Sequence, residues 1–363
     1  MLNGTKVLDM SRVLAGPLCT MHLGDMGAHV MKVERPGAGD ETRGWGPPFD
    51  STGQSAYYLS VNRNKLSITI DLESPADLVV LKGLMSEADV VVENFRPGAL
   101  ARRGLDAATM RKKHPWLVWC TIGGFANEPL RPGYDFVVQA ESGWMSVTGE
   151  PDGSPMKHGI ALADVVAGKD AAIAILGALV ARARTRQGET LEIALSTSAE
   201  AALVNVAQNA LVSGRPSKRW GNAHANLVPY ELFQAADRAI VIAVGSDAQW
   251  LACARALDVP SLAEDVALST NAGRLAHRDR IATVLAERVR QRPAAEWRSR
   301  LDDAGVPCGL VRSVMEVLAQ RDASPATGMP LSVPGRIVRV PPRLGEHDAA
   351  VRARGWGAFT ERL

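Results

Sequence analysis

Through the first half of the chain, short runs of β-branched and other apolar residues alternate with longer stretches of helical composition. The runs at 6–10, 29–33, 67–72, 89–93 and 116–122 read as strands. The intervening stretches at 17–26, 75–86 and 107–113 have the length and composition of crossover helices. Strands that alternate with helices in this way pair in parallel and are covered on both faces. The pattern therefore predicts an α/β fold with a doubly wound parallel sheet.

Further on, 165–184 is Ala-rich and free of proline, which predicts a long buried helix stopped near Gly188. A strand at 191–195 and a helix at 197–212 follow, and Gly214, Arg215 and Pro216 then break the pattern. A strand at 237–244, helices at 247–257 and 277–290, and a strand near 306–311 predict a second, smaller α/β unit. Residues 324–345 hold several Pro and Gly and few helical signals, and read as an extended strap. The expected organisation is a large domain whose first part covers 1–200, a small domain at 215–315, and a C-terminal strap at 325–363 that returns to the large domain.

The 363 residues are 46% apolar and 22% charged, which fits folded globular protein. Lys and Arg total 41 against 39 acids, a net charge of +2, so no nucleic-acid partner is expected. The start Met-Leu-Asn-Gly-Thr-Lys lacks a secretory pattern, and the longest apolar run, 171–181, is too short for a membrane span. A cytoplasmic protein with no membrane partner is expected. The four cysteines are widely spaced and read as reduced thiols, and neither they nor the seven histidines show metal-ligand spacing.

Gly37-Ala-Gly39-Asp-Glu-Thr42 lacks the third glycine of a dinucleotide fingerprint, and no phosphate-cradling Lys loop or serine nucleophile elbow is present. Polar residues instead gather where strands end, the position at which open parallel sheets bind ligands. Residues 13–17 follow the first strand, Glu34 and Arg35 the second, Glu93-Asn-Phe-Arg-Pro-Gly98 the fourth, and Gly123-Gly124 the fifth. Asp164 stands in an apolar stretch, Gly159 to Gly168, at a helix start. Its spacing suits an N-cap, but a partly desolvated carboxylate at that place would also be a nucleophile. The two readings stay open on spacing alone.

The chain resembles the class III CoA-transferases, the formyl-CoA and carnitine CoA-transferase group. The resemblance rests on Val7-Leu-Asp9 with Ala15-Gly-Pro17, Gly27-Ala-His-Val-Met-Lys-Val-Glu-Arg35, Gly39-Asp40, Asn62-Arg-Asn-Lys65 and Glu93-Asn-Phe-Arg-Pro-Gly98. It continues through Gly133-Tyr-Asp135, Gln139, Ser142-Gly143, Ala304-Gly-Val-Pro-Cys-Gly309 and Leu344-Gly-Glu-His347. It implies an acyl-CoA and a carboxylic acid as substrates, no tightly bound cofactor, no metal, and a homodimer of interlocked rings. Asp164 falls at the place of the family's aspartyl nucleophile, with Ala163 where a glycine is usual.

Carried over residue by residue, the resemblance assigns CoA binding to Val13, Arg35, Asn94, Phe95, Arg102 and Arg103. It brings Leu14, Tyr134 and His224 toward the acid. Guanidinium groups suit the phosphates, and Phe95 with an Arg face suits the adenine. The superfamily also contains α-methylacyl-CoA racemases with a His-Asp pair of bases. Here that dipeptide is Tyr134-Asp135, and a phenol is a poor base at neutral pH. The glycine-rich loop of some transferases is replaced by Trp220-Gly-Asn-Ala-His-Ala-Asn226. The readings are thus a CoA-transferase, or else a racemase or a non-catalytic CoA-binding protein.

Overall fold

A computed structural model of the chain describes residues 1–360. The chain forms two compact units. The first holds Met1–Met145, Lys157–Arg215 and the residues from Arg321 on, and the second holds Ser146–Met156 and Pro216–Gln320.

In the first unit, β1 (Lys6–Asp9), β2 (His29–Glu34), β3 (Lys65–Thr69), β4 (Val90–Glu93), β5 (Val118–Gly123) and β6 (Thr190–Ala194) form one sheet in the order β3-β2-β1-β4-β5-β6. Every pairing is parallel. The helices in chain order are α1 (Ala15–Asp25), α2 (Ala56–Leu59), α3 (Pro75–Glu87), α4 (Ala107–Lys113), α5 (Asp135–Glu141), the short α6 (Trp144–Val147), whose last two residues count with the second unit, α7 (Leu162–Thr185), α8 (Leu195–Ala201) and α9 (Val204–Ser213). Successive strand residues face opposite ways. Val7, Val90, Val92, Val118 and Cys120 therefore pack with Ala15, Cys19, Ala167 and Ala171 of α1 and α7. Leu8, Val91 and Trp119 face the other layer, with Leu81, Met85 and Met110 of α3 and α4. The doubly wound α/β fold expected from the apolar pattern is the fold observed.

Several local expectations are corrected. The third strand starts at Lys65 rather than 67, because Lys65 is buried through an ion pair and its side chain does not mark a surface position. The single helix expected over 197–212 is two, α8 and α9, parted where Val204 takes φ +29°. Helix α7 begins at Leu162, so Asp164 is its third residue. The N-cap is Ala161, which offers no side-chain cap.

The second unit pairs β7 (Tyr230–Gln234), β8 (Ala239–Ala243) and β9 (Cys308–Leu310) antiparallel in that order. Around them lie α10 (Asp247–Ala256), α11 (Pro260–Ala263), α12 (Asn271–Ala276), α13 (Arg278–Val289), α14 (Ala294–Asp303) and α15 (Val314–Leu318). Trp250 and Trp297, both fully buried, anchor its core.

The C-terminal segment, ending in α16 (Asp348–Arg354) and a 3₁₀ turn, lies along β3, the edge strand of the large sheet. The last residues of the expected strap, 361–363, lie outside the described residues. Asp348 accepts hydrogen bonds from Thr69 N (2.7 Å) and Thr69 Oγ1 (2.5 Å), and Ser67 N donates to His347 Nδ1 (3.2 Å). His347 N in turn donates to Ser67 O. A bare edge offers unpaired backbone groups to other chains, and this segment satisfies them internally. Asp348→Ala should lower stability by about 1–3 kcal/mol, since Thr69 N–H loses a charged acceptor. Urea unfolding measures the loss, and faster amide exchange at Thr69 should accompany it.

Candidate active site

In the strand order of the first unit, β1 and β4 lie side by side while their crossovers leave in opposite directions. A crevice opens there at the C-terminal ends of the strands. Two loops line it. After β1, Val13 adopts φ +70°, a conformation rare for a β-branched residue. Its N–H lies 3.3 Å from both carboxylate oxygens of Asp40. After β4, Asn94 clasps the same loop in both directions: Arg12 N donates to Asn94 Oδ1 (3.0 Å) and Asn94 Nδ2 donates to Arg12 O (2.8 Å).

Beneath these loops, buried charges are paired. Lys65 Nζ is 2.9 Å from Asp9 Oδ2 and Lys32 Nζ is 3.0 Å from Asp40 Oδ2, with all four side chains fully buried. Lys32 Nζ also donates to Ser11 O, and Lys65 Nζ to Pro17 O and Asn62 Oδ1. Burial pushes the Asp9 carboxyl up, but Lys65, Lys32 and the Ser11 hydroxyl outweigh it and hold the group down at about 2.

Of the residues expected to bind CoA, Val13 and Asn94 thus belong to one clasped pair of loops. Phe95 joins them, with the Arg12 guanidinium 5.7 Å from its ring centroid. Arg35 is exposed at the end of β2, its Nε donating to Gly39 O (3.2 Å). Arg102 is exposed. Arg103 instead donates to Leu72 O and Ala99 O (2.9 Å each) and pairs with Glu73, so it braces its own turn. A cavity of about 750 Å³ at the ends of β4, β5 and β6 shares Phe95 with this set. Neither Asp164 nor Asp135 lines it.

Asp164 lies at the packed N-terminal ends of α1 and α7. A Cβ on Gly168, one turn further along α7, would sit 2.6 Å from Ala15 O, so the missing side chain lets the two helices meet. Val165 and Leu14 pack against one small cluster formed by Leu18, Met21 and Val61. Asp164 is 9% exposed. Among the described residues no side-chain or backbone donor is paired with its carboxylate. Desolvation by burial and the adjacent Asp135 charge push its carboxyl up to about 7. The first-turn amides of α7 go to Asp135 instead, whose Oδ1 accepts from Ala163 N (2.8 Å) and Asp164 N (3.4 Å). The N-cap reading of Asp164 is therefore wrong: another helix supplies the cap.

Tyr57 of α2 brings a phenol close enough to feel both carboxylates. Burial and the charges of Asp164, Asp135 and Asp40 push it up to about 12. Tyr134, expected near the acid, is the exposed N-cap of α5 and 61% accessible. His224 belongs to the second unit, where its Nδ1 accepts from Asn226 N (3.0 Å) and its ring lies 5.0 Å from Tyr230. Sequence reasoning did not place Asp135 beside Asp164, Gln139 beside Asp135 or Tyr57 near either carboxylate. The spacing of Asp135 and Gln139, one helical turn, was the available signal for the first two.

The raised Asp164 group carries a sign. Its folded value lies above the ordinary 3.8, so the stability tied to its protonated form is full below about pH 4 and is lost as pH rises through 7. Asp164→Asn should therefore melt above the wild type at pH 8, by a margin that shrinks toward pH 4.5. Equal margins at both pH values, by differential scanning calorimetry, would contradict this environment.

Residues 2–354 match the family described as CoA-transferase family III. The chain is 39% identical to the mouse succinyl-CoA:glutarate CoA-transferase, covering 95% of this chain and 84% of that protein. It is 38% identical to the succinate–glutarate CoA-transferase of Agrobacterium fabrum, covering 97% and 95%. Among solved structures, a CAIB/BAIF family protein from Brucella suis superposes with TM-score 0.86 at 39% identity, covering 97% of this chain and 98% of that one. The switch-point crevice, the loops around it and these likenesses agree, and the chain belongs to the class III CoA-transferase family, an enzyme family that moves coenzyme A between carboxylic acids.

Proposed function

We propose that this enzyme transfers CoA between dicarboxylic acids of four to five carbons, through covalent intermediates on Asp164. The observation that carries the reading is Asp164 itself, a buried carboxylate with no donor paired to it among the described residues and a carboxyl near 7. A structural carboxylate in such a place would be paired, as Asp9 and Asp40 are. The substrate class follows the relatives, whose names give succinyl-CoA and glutarate at 38–39% identity.

In the first step an Asp164 oxygen attacks the thioester carbonyl of the donor, the C–S bond breaks, and CoA leaves as thiolate. The mixed anhydride is then attacked at its aspartyl carbonyl by that thiolate. The donor acid departs as carboxylate and an aspartyl thioester remains. The acceptor carboxylate displaces CoA to form a second anhydride, and the thiolate attacks its outer carbonyl, releasing acyl-CoA and free Asp164. No proton is gained or lost over the cycle. Water must be kept from both intermediates, because either would hydrolyse.

The CoA handle is assigned to Val13, Arg35, Asn94, Phe95 and Arg102 around the crevice, and Arg103 acts through the turn that carries Arg102. Leu14 and Tyr134 are assigned to the acid side. The proposal includes the interlocked homodimer that the resemblance implies, so sedimentation should give twice the chain mass.

Asp164→Ala should abolish transfer with CoA affinity within about fivefold of wild type, because the residue supplies chemistry and not handle contacts. Isothermal titration and a transfer assay separate the two. Arg35→Ala should raise KM for succinyl-CoA, acetyl-CoA and formyl-CoA alike. Incubation with whichever of these donors supports turnover, followed by hydroxylamine, should convert Asp164 to a hydroxamate, read by peptide mass. Labelling of Asp135 or Glu141 in its place would move the nucleophile.

A further inference from the structure

We propose that Asp135 is the positioning residue of this site: it takes over the cap of α7 from another helix and so leaves the Asp164 carboxylate without a donor, next to a second negative charge. The inference rests on the reading of Asp164 as nucleophile.

A helix start exposes unpaired N–H groups, and a carboxylate at the third position commonly turns back to satisfy them. Asp164 is at that position, and the N-cap Ala161 has no oxygen to offer. Left alone, α7 would draw the Asp164 side chain onto its own first turn, where accepted hydrogen bonds would make it a weaker base. The structure prevents this with a brace from α5. Asp135 Oδ1 occupies the amides of Ala163 and Asp164, while its Oδ2 accepts from Gln139 Nε2 at 2.6 Å. Gln139 is fully buried. Its Oε1 accepts from His158 N (2.8 Å), and its Nε2 also reaches Ile160 O (3.4 Å). The chain entering α7 is thus tied to α5 through the same pair of side chains that holds the cap.

The groups packed around Asp164 allow one dominant charge. Asp135 comes from α5 and the phenol of Tyr57 from α2. Helix α1 brings His22, which feels Lys169 of α7 more than a turn beyond Asp164, and Asp25, which is paired with Arg63. Helix α8 offers Ser196, Ser198 and Glu200. Removing the Asp135 charge should therefore lower the pH at which Asp164 ionises, and with it the acid limb of the pH profile.

The test is the kcat/KM profile for the succinyl-CoA and glutarate pair, or for the donor of the hydroxylamine panel that turns over, between pH 4.5 and 9. It is run on wild type, Asp135→Asn and Asp135→Ser. Asp135→Asn keeps a neutral acceptor for the α7 amides, and Asp135→Ser removes the charge with a shorter side chain. The expected result is an acid limb near pH 7 in wild type that moves down by at least about one pH unit in both variants. Plateau kcat should fall while KM for the donor holds within about twofold. Circular dichroism verifies that each variant is folded. An unmoved limb in a folded variant overturns the proposal, and so does a wild-type limb below pH 5, which needs no variant. Hydroxamate formed on Asp164 of wild type separates that failure from failure of the nucleophile itself: label without a moved limb removes only Asp135, and no label removes both.

Discussion

The two buried ion pairs beneath the crevice, Asp9 with Lys65 and Lys32 with Asp40, are the constraint on which the rest depends. A charge in the interior is tolerated only where partners replace the water it loses, and breaking one member leaves the other exposed to the full desolvation penalty. Each charge here is held by more than its partner. Asp9 also accepts from Ser11 N, Ser11 Oγ and Thr20 Oγ1, and Asp40 from Thr42 N and Thr42 Oγ1. The Asp9 bonds fix the turn after β1 and the start of α1 from below, and the Asp40 bonds fix the turn that follows β2. Val13 can be kept at φ +70° because Asp40 holds its N–H and Asn94 holds Arg12 on either face.

The same network explains why Asp164 stands apart. Asp9, Asp25, Glu34 and Asp40 are buried with cations at 2.7–3.0 Å. Asp164 is buried almost as deeply, and what meets it is another carboxylate. Burial alone does not distinguish a reactive carboxylate from a structural one. The partner does: a cation lowers the carboxyl and consumes its lone pairs, and a second carboxylate raises it and leaves them free.

Much of this architecture was legible in the sequence because the strands are short apolar runs buried on both faces and the helices between them carry ordinary caps. Asp106 caps α4 and Ser74 caps α3 within one turn, so those starts could be read locally. The start of α7 could not, since its cap lies 28 residues away on α5. The start of β3 at Lys65 is not legible locally, since a lysine reads as surface until its partner is known. The grouping of Ser146–Met156 with the second unit was equally hidden: it depends on contacts such as Arg219 Nη2 with Gly153 O, which no local pattern encodes. In each case the missing information is the identity of a distant partner, and the residue types involved have more than one ordinary use.

A carboxylate nucleophile is best served by neither extreme of its titration. Fully hydrated, it is ionised at every physiological pH, yet it is a weak base with a tightly held solvent shell. Deeply buried with no compensation, it would be strongly basic and almost never ionised. Because nucleophilicity rises less than proportionally with basicity while the ionised fraction falls tenfold for each unit above ambient pH, the most reactive compromise lies near the working pH. At Asp164, the nucleophile of the proposed mechanism, two moderate effects meet there: a residual opening of 9%, and a single neighbouring charge that is itself engaged with backbone N–H groups. Deeper burial would overshoot, and a cation in place of Asp135 would reproduce the inert environment of Asp9. Positioning the second carboxylate on α5, away from the helix that bears the first, sets this balance without altering the tight packing of α7 on α1.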